Sequence, residues 1–349
     1  MIRRRVSRSI QVGDVTVGGG APVNIQSMTK TDTRNIPATL DQISRLADAG
    51  CEIVRIAVPD TEAAEALAEI KRNASMPIIA DIHFDHRLAI ASMESGVDQV
   101  RFNPGNIQGE ENVAAIVRSA RERSIPLRIG VNAGSLAHER GGSDLAGRMS
   151  EAALEQIRLL EGMDFELIEV SIKASDVIAT IEANKTIAEK MPYPLHIGVT
   201  EAGLPGSGSI KSAVGLGALL YLGIGDSVRV SLTTSDPCEE IKAAYDMLKP
   251  LELREHGPRL VSCPTCGRCE AIGFYDLARA VEERISKLDK SVTVAVMGCV
   301  VNGPGEAKDA DVGLACGKGK GVIFKKGEKL RTVDEADFFT ALMTEVENL

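Results

Sequence analysis

Ile53-Val54-Arg55-Ile56-Ala57-Val58, Ile78-Ile79-Ala80-Asp81-Ile82, Gln99-Val100-Arg101-Phe102 and Leu127-Arg128-Ile129-Gly130-Val131 are four short apolar runs rich in β-branched residues, with amphipathic stretches between them. The same alternation continues on both sides. Strands are expected at 23–28, 53–58, 78–82, 99–102, 127–131, 167–172, 195–199 and 228–232, and helices at 40–49, 62–72, 87–95, 111–123, 151–160, 177–189, 210–222 and 239–248. Near-continuous Val/Ile/Leu strands alternating with helices indicate a parallel sheet with a covered outer face. Eight such units within about 250 residues predict an α/β chain built on a closed (β/α)8 TIM barrel. An open doubly wound sheet would place a glycine-rich dinucleotide turn after an early strand. Here Gly18-Gly19-Gly20 precedes the first barrel strand instead.

Residues 250–258, with two prolines, Arg254, Glu255, His256 and Gly257, form a polar linker. The expected division is a barrel at 1–252 and a small α/β domain at 258–349. In the latter, strands are expected at 260–262, 292–297, 312–315 and 322–324, with helices at 277–288 and 335–347. Fewer than a hundred residues make a small core, which a bound metal group can brace.

In such a barrel the chemistry sits at the C-terminal ends of the strands. Those ends carry Gln26, Arg55, Asp81 and His83, Arg101 and Asn103, Arg128 and Asn132, Ser171 and Lys173, Thr200 and Glu201, and Arg229 and Ser231. Arg55, Arg101, Arg128, Lys173 and Arg229 come from five different strands and are expected to converge on one mouth. Guanidinium forks match phosphate oxygens in pairs, and lysine adds a mobile point charge. A single arginine is more often a salt-bridged surface residue. Recurrence on five strands points to an anion, most simply a diphosphate. Asp81 and Glu201 are expected to offset part of the charge. Gly203-Leu204-Pro205-Gly206-Ser207 before a helix is a weak second anion signal, since no P-loop pattern accompanies it.

The tail carries Ser262-Cys263-Pro264-Thr265-Cys266-Gly267-Arg268-Cys269 and Gly298-Cys299-Val300-Val301-Asn302-Gly303-Pro304-Gly305-Glu306. Thiolates from loops suit zinc or an iron–sulfur cluster. Zinc would want four closed ligands, and Cys263, Cys266 and Cys269 also have the spacing of three ferredoxin-like ligands. Cys51, Cys238 and Cys316 are expected to be bland, since a lone Cys in an apolar setting such as Ala49-Gly50-Cys51-Glu52-Ile53 is usually a small core residue. Seven cysteines, four of them in this region, fit a reducing compartment better than a disulfide framework.

A net charge of -9, no tryptophan and 3% aromatic residues argue against a nucleic-acid scaffold. Met1-Ile2-Arg3-Arg4-Arg5 resembles the start of a secretory signal, but residues 6–20 lack an apolar segment, so a cytoplasmic location is expected. No run approaches the ~18 apolar residues of a membrane span.

The two cysteine segments resemble the C-terminal signature of the bacterial 4-hydroxy-3-methylbut-2-enyl diphosphate synthase family of the non-mevalonate isoprenoid pathway. Ala80-Asp81-Ile82-His83-Phe84, Arg101-Phe102-Asn103-Pro104-Gly105-Asn106-Ile107, Arg128-Ile129-Gly130-Val131-Asn132-Ala133-Gly134-Ser135, Lys173-Ala174-Ser175-Asp176 and Thr200-Glu201-Ala202-Gly203 resemble its barrel motifs. The resemblance implies reductive ring opening and dehydration of 2-C-methyl-D-erythritol 2,4-cyclodiphosphate by two electrons passed through a 4Fe-4S cluster. It implies Cys263, Cys266, Cys299 and Glu306 as cluster ligands, leaving Cys269 an unligated neighbour. Arg55, Arg101, Arg128, Asn132, Lys173, Arg229 and Ser231 would grip the substrate, with His83 and Asn103 beside them, and Glu201 would be catalytic. A reduced flavodoxin or ferredoxin would donate electrons, and a homodimer would let one subunit's cluster domain cap its partner's barrel. Two rivals stay open: a pterin- or phosphosugar-type barrel transferase with a structural zinc tail, and a cluster-bearing redox sensor.

Overall fold

The computed structural model describes residues 2–136, 144–269, 271–288, 290–299 and 303–349. The chain forms two compact units, Met1–Arg254 and Glu255–Leu349. The first opens with an antiparallel hairpin, β1 (Ser9–Val12) and β2 (Val15–Gly18). Eight parallel strands follow: β3 (Asn24–Met28), β4 (Ile53–Ala57), β5 (Ile78–Asp81), β6 (Gln99–Phe102), β7 (Leu127–Asn132), β8 (Ile168–Lys173), β9 (His196–Ile197) and β10 (Ser227–Val228). Their order is β8-β7-β6-β5-β4-β3-β10-β9, and a bridge between Val170 and Leu195 brings the two ends together. This is the expected barrel.

The helices after the strands span Ile36–Asp48, Thr61–Asn73, His86–Glu94, Glu110–Arg123, Leu145–Glu161, Val177–Lys190, Ser207–Tyr221 and Cys238–Leu248. Several begin on an aspartate placed just past the strand. Asp60, Asp85 and Asp176 accept the free N–H of Ala63, Arg87 and Ala179 respectively, so each helix starts where its strand's loop ends. Asp176 of the Lys173-Ala174-Ser175-Asp176 motif therefore serves as a cap.

Side chains alternate across each strand, and this sorts the barrel into two different interiors. Val54, Ile56, Ile78, Ala80, Val100, Phe102, Leu127, Ile129, Val170, Ile172, Ile197 and Val228 belong to one apolar core with the surrounding helices. Their neighbours in sequence face inward and, above the floor, are mostly polar. At the floor, Ile53 and Ile79 pack with Ile10, Val12 and Val17 of the hairpin, which closes the bottom. The hairpin escaped the strand expectations above, although Ile10, Val12, Val15 and Val17 alternate around a Gly13-Asp14 turn. Gly13 takes φ +61°, which a two-residue hairpin turn requires. Arg4 and Ser7 fasten this segment to Asp226, at 3.3 and 2.8 Å.

β9 and β10 are two residues each, shorter than expected. At Gly198 the backbone runs against the Lys173 side chain, where an added Cβ would lie 2.7 Å from Nζ. Glycine in a strand marks such an approach. The chains still run alongside, with Arg229 N–H donating to the Ile197 carbonyl at 3.1 Å.

The second unit holds a five-stranded sheet: β11 (Arg259–Ser262), β12 (Thr293–Met297), β13 (Val312–Cys316), β14 (Lys320–Lys325) and β15 (Glu328–Asp334), in that order. The first three are parallel and the rest antiparallel. Helices Phe274–Ile285 and Phe338–Glu347 cover one face through Phe274, Val281, Leu342 and Val346. β15 is absent from the expectations because it is an exposed edge strand of mostly charged and polar residues. Among the described residues no helix is long and apolar enough to cross a membrane.

The floor contact is testable. Ile10→Ala is expected to cost the barrel about 2–4 kcal/mol, read as a lower urea midpoint for the barrel transition, while the second unit unfolds unchanged.

Candidate functional site

Halfway up the barrel, Arg128 on β7 lies beside Glu169 on β8, its partner in strand register. Arg128 Nε donates to Glu169 Oε2 at 2.8 Å, and its other arm donates to Gln26 Oε1 at 2.6 Å. The side chains are 1% and 0% exposed. Gln99 Nε2 donates to the same carboxylate at 3.0 Å, and Ser227 Oγ donates to its second oxygen at 2.6 Å. His196 Nδ1 lies 2.8 Å from Ser227 Oγ. Since serine's single proton goes to Glu169, the imidazole donates through Nδ1, leaving a bare lone pair at Nε2. Burial, then the cations Arg128, Lys173, Arg55 and Arg229, hold His196 well below its ordinary range, so it is neutral. Its Nε2 has no hydrogen-bond partner among the described residues.

Above this layer the side chains carry surplus positive charge. Asp81 on β5 takes Arg101 at 3.1 Å and Arg55 at 3.6 Å. Burial raises the Asp81 carboxyl, but Arg55, Arg101 and His83 outweigh it and leave it lowered. Burial brings the Arg55 guanidinium down to about 9, opposed by Asp81 and reinforced by Arg229, Arg101 and Arg128. Gly130 makes room for Arg101, because a Cβ there would overlap the guanidinium. Lys173 is 6% exposed. Burial and then four arginines push it well below the ordinary lysine value. Neither Lys173 nor Arg229 has a carboxylate partner among the described residues, and Arg55 Nε and Arg229 Nε lack hydrogen-bond acceptors.

The five expected cations do converge. Arg128 sits lowest, because it is the second residue of a six-residue strand and not its end. The counter-charges are Asp81 and Glu169; Glu201 is exposed, makes no ion pair among the described residues, and stands in the loop after β9 at φ +51°. Such left-handed backbone is uncommon for a non-glycine residue and clusters at functional positions. His83 is half exposed, 3.7 Å from Asp81. Ser231 is half-buried on the path of β10, and Asn132 ends β7 beside Lys173. The Asn103 side-chain oxygen accepts from Gly105 N–H of its own loop at 3.0 Å and from Gln156 of the helix Leu145–Glu161 at 2.9 Å.

Glu169, His196, Ser227 and Gln99 lie below the strand ends, where the barrel rule alone does not point. The signal was a period of two: Glu169-Val170-Ser171-Ile172-Lys173 sends every polar residue to one face.

In the second unit, Ser262 and Val296 are register partners on parallel strands, so the loops that follow leave the same edge together. Gly298 N–H donates to Cys263 Sγ at 3.0 Å. A Cβ on Gly298 would lie 3.1 Å from that sulfur and 2.8 Å from Cys269 Sγ. Arg268, through its backbone and then its side chain, lowers the exposed Cys266 thiol and also feels Cys299. Burial instead pushes Cys51 and Cys316 up to about 12, which suits inert thiols. Glu306 is exposed at the end of a short helix, Gly303–Glu306, and residues 300–302 of the motif lie outside the described residues. Among the described residues no three Cys, His or carboxylate groups close to metal-ligand distances. The donor chemistry fits a thiophilic group nonetheless. Thiols from two adjoining loops, a glycine that leaves space between sulfurs, and an N–H aimed at sulfur are features of iron–sulfur sites.

Residues 7–245 match the family model described as "GcpE TIM-barrel domain", and residues 259–348 match "GcpE protein C-terminal domain". The chain belongs to the GcpE family. Among curated relatives, this GcpE chain is 57% identical over 350 residues to "4-hydroxy-3-methylbut-2-en-1-yl diphosphate synthase (flavodoxin)" of Dehalococcoides mccartyi (strain ATCC BAA-2100 / JCM 16839 / KCTC 5957 / BAV1), covering 100% of both chains. It is 55% identical to the protein of that name in Geobacter sulfurreducens (strain ATCC 51573 / DSM 12127 / PCA), covering 98% of each. Among solved structures, dihydropteroate synthases of Yersinia pestis (TM-score 0.53, 10% identity, 70% of this chain and 98% of that one) and Xanthomonas albilineans (TM-score 0.54, 11% identity, 71% and 97%) share the barrel. At that identity the GcpE chain shares their fold alone.

Two outcomes check the site. Glu169→Gln leaves Arg128 buried without its counter-ion and is expected to cost about 3–5 kcal/mol in urea unfolding. A depressed carboxyl stabilises the fold above its ordinary range and loses that contribution as pH falls through its lowered folded value. Urea midpoints across acid pH should therefore fall less steeply in Asp81→Asn than in the parent.

Proposed function

We propose that this chain opens the ring of 2-C-methyl-D-erythritol 2,4-cyclodiphosphate and dehydrates it to 4-hydroxy-3-methylbut-2-enyl diphosphate, in isoprenoid biosynthesis in the cytoplasm. The observation that carries the reading is the barrel mouth: four arginines and the Lys173 amine gathered around two buried carboxylates, with Arg229 lacking any counter-ion among the described residues. Buried charge demands compensation, and an anionic substrate supplies it. Arg55, Arg101, Lys173 and Arg229 would hold phosphate oxygens, with Asn132 and Ser231 as neutral partners and His83 at the rim. Arg128 would add its field from below, and Asn103 would shape the loop.

The reaction consumes two electrons and one proton. One carbon–oxygen bond to the diphosphate breaks, leaving a further phosphate anion, and a hydroxyl departs as water. Glu201 would hold the proton for that hydroxyl. When bound by Cys263, Cys266, Cys299 and Glu306, a 4Fe-4S cluster supplies the electrons singly, with the carboxylate as the exchangeable ligand. Cys269, whose sulfur also faces Gly298, would stay unligated. Reduced flavodoxin is the donor we favour, with ferredoxin the alternative, and a homodimer the assembly in which a partner's cluster domain serves the barrel.

Anaerobic protein should be brown, carry about four irons per chain, and show an electron paramagnetic resonance signal after dithionite that changes on adding the cyclic diphosphate. Cys299→Ser should lose iron. Arg229→Met should keep its iron yet lose about tenfold to a hundredfold in kcat/KM. A colourless zinc protein active without reductant would sink this reading and favour the transferase.

A further inference from the structure

We propose that the barrel takes up a proton from solvent as it binds the cyclic diphosphate, and that the Lys173 amine receives it. This rests on the function proposed above.

Lys173 ends β8 inside the barrel, against the backbone at Gly198. Arg55 from β4, Arg101 from β6, Arg128 from β7 and Arg229 beyond β10 act on it, and His196 from β9 feels it in turn; the carboxylates beside those arginines are Asp81, which also has His83 at 3.7 Å, and Glu169. Both carboxylates already serve arginines, and the imidazole is neutral. A buried amine against the Gly198 backbone, with no carboxylate of its own among the described residues, is disfavoured in its charged form, and burial and then the four guanidinium groups hold it well below the ordinary lysine value. Arriving phosphate oxygens change both terms. They neutralise the surrounding guanidinium groups and give the amine an acceptor, so R–NH2 and a solvent proton become R–NH3+ against O–P. No other bond forms or breaks. The ligand does not supply the proton, because each phosphorus in the ring carries one strongly acidic oxygen. It has no monoester phosphate with a second ionisation near pH 6.

The test is calorimetry of the oxidised holoenzyme with the cyclic diphosphate at about pH 8, without reductant, in buffers of low and high ionisation heat. Uptake of about one proton per chain is expected. Lys173→Arg, whose guanidinium stays charged, should bind with uptake reduced to near zero, while His196→Asn should retain it. Binding without proton uptake in the parent would overturn the inference and leave the proposed function standing. Uptake lost in His196→Asn and kept in Lys173→Arg would also overturn it. Absence of binding by the parent would instead overturn the proposed function. If Lys173→Arg fails to fold or bind, the pH series decides. Parent affinity should fall by about tenfold per pH unit above the free amine's value, equally in His196→Asn, and a flat profile would overturn the inference.

Discussion

Arg128 and Glu169, paired with essentially no solvent contact between adjacent strands, set the terms for the rest of the barrel. Either alone would be an uncompensated charge in a dry interior. Together they replace the layer of branched aliphatic residues that usually fills such a barrel, and their remaining lone pairs and protons recruit Gln26, Gln99, Ser227 and, through it, His196. Apolar cohesion is displaced outward, between strands and helices, and downward, to the hairpin. The polar centre then supports a cationic mouth, because groups above it rest on fixed dipoles and charges instead of a greasy plug.

Both units place chemistry through one rule of parallel sheets: neighbouring strands pointing the same way deliver their loops to the same edge. In the barrel this gathers side chains from strands far apart in sequence. In the second unit it brings Cys263 beside Gly298 across 35 residues of chain. Glycines at 130, 198 and 298 are the negative space of these sites, each leaving room for a guanidinium, an amine or sulfur atoms.

The eight strand–helix units were legible because apolar runs of β-branched residues report burial directly. The cations were legible because they interrupt those runs. What the residues at strand starts do was harder to see: Glu169 and His196 look like ordinary strand-edge polar residues until alternation on all eight strands is compared. Arg128 illustrates the same limit, since its depth depends on strand register, which a single strand does not encode. The hairpin and β15 were lost for opposite reasons, one being short and the other too charged to resemble a buried strand. The cysteine spacing named a soft-ligand site, and loop composition alone leaves its fourth ligand open.

The floor of the barrel also orders events in time. Arg4 and Ser7 reach their partner Asp226 only after some 220 further residues have been made, roughly ten to forty seconds at ribosomal speed. The hairpin's apolar partners Ile53 and Ile79 are made well before the polar anchor that locks its leading segment in place, so the floor can be laid early and fastened late.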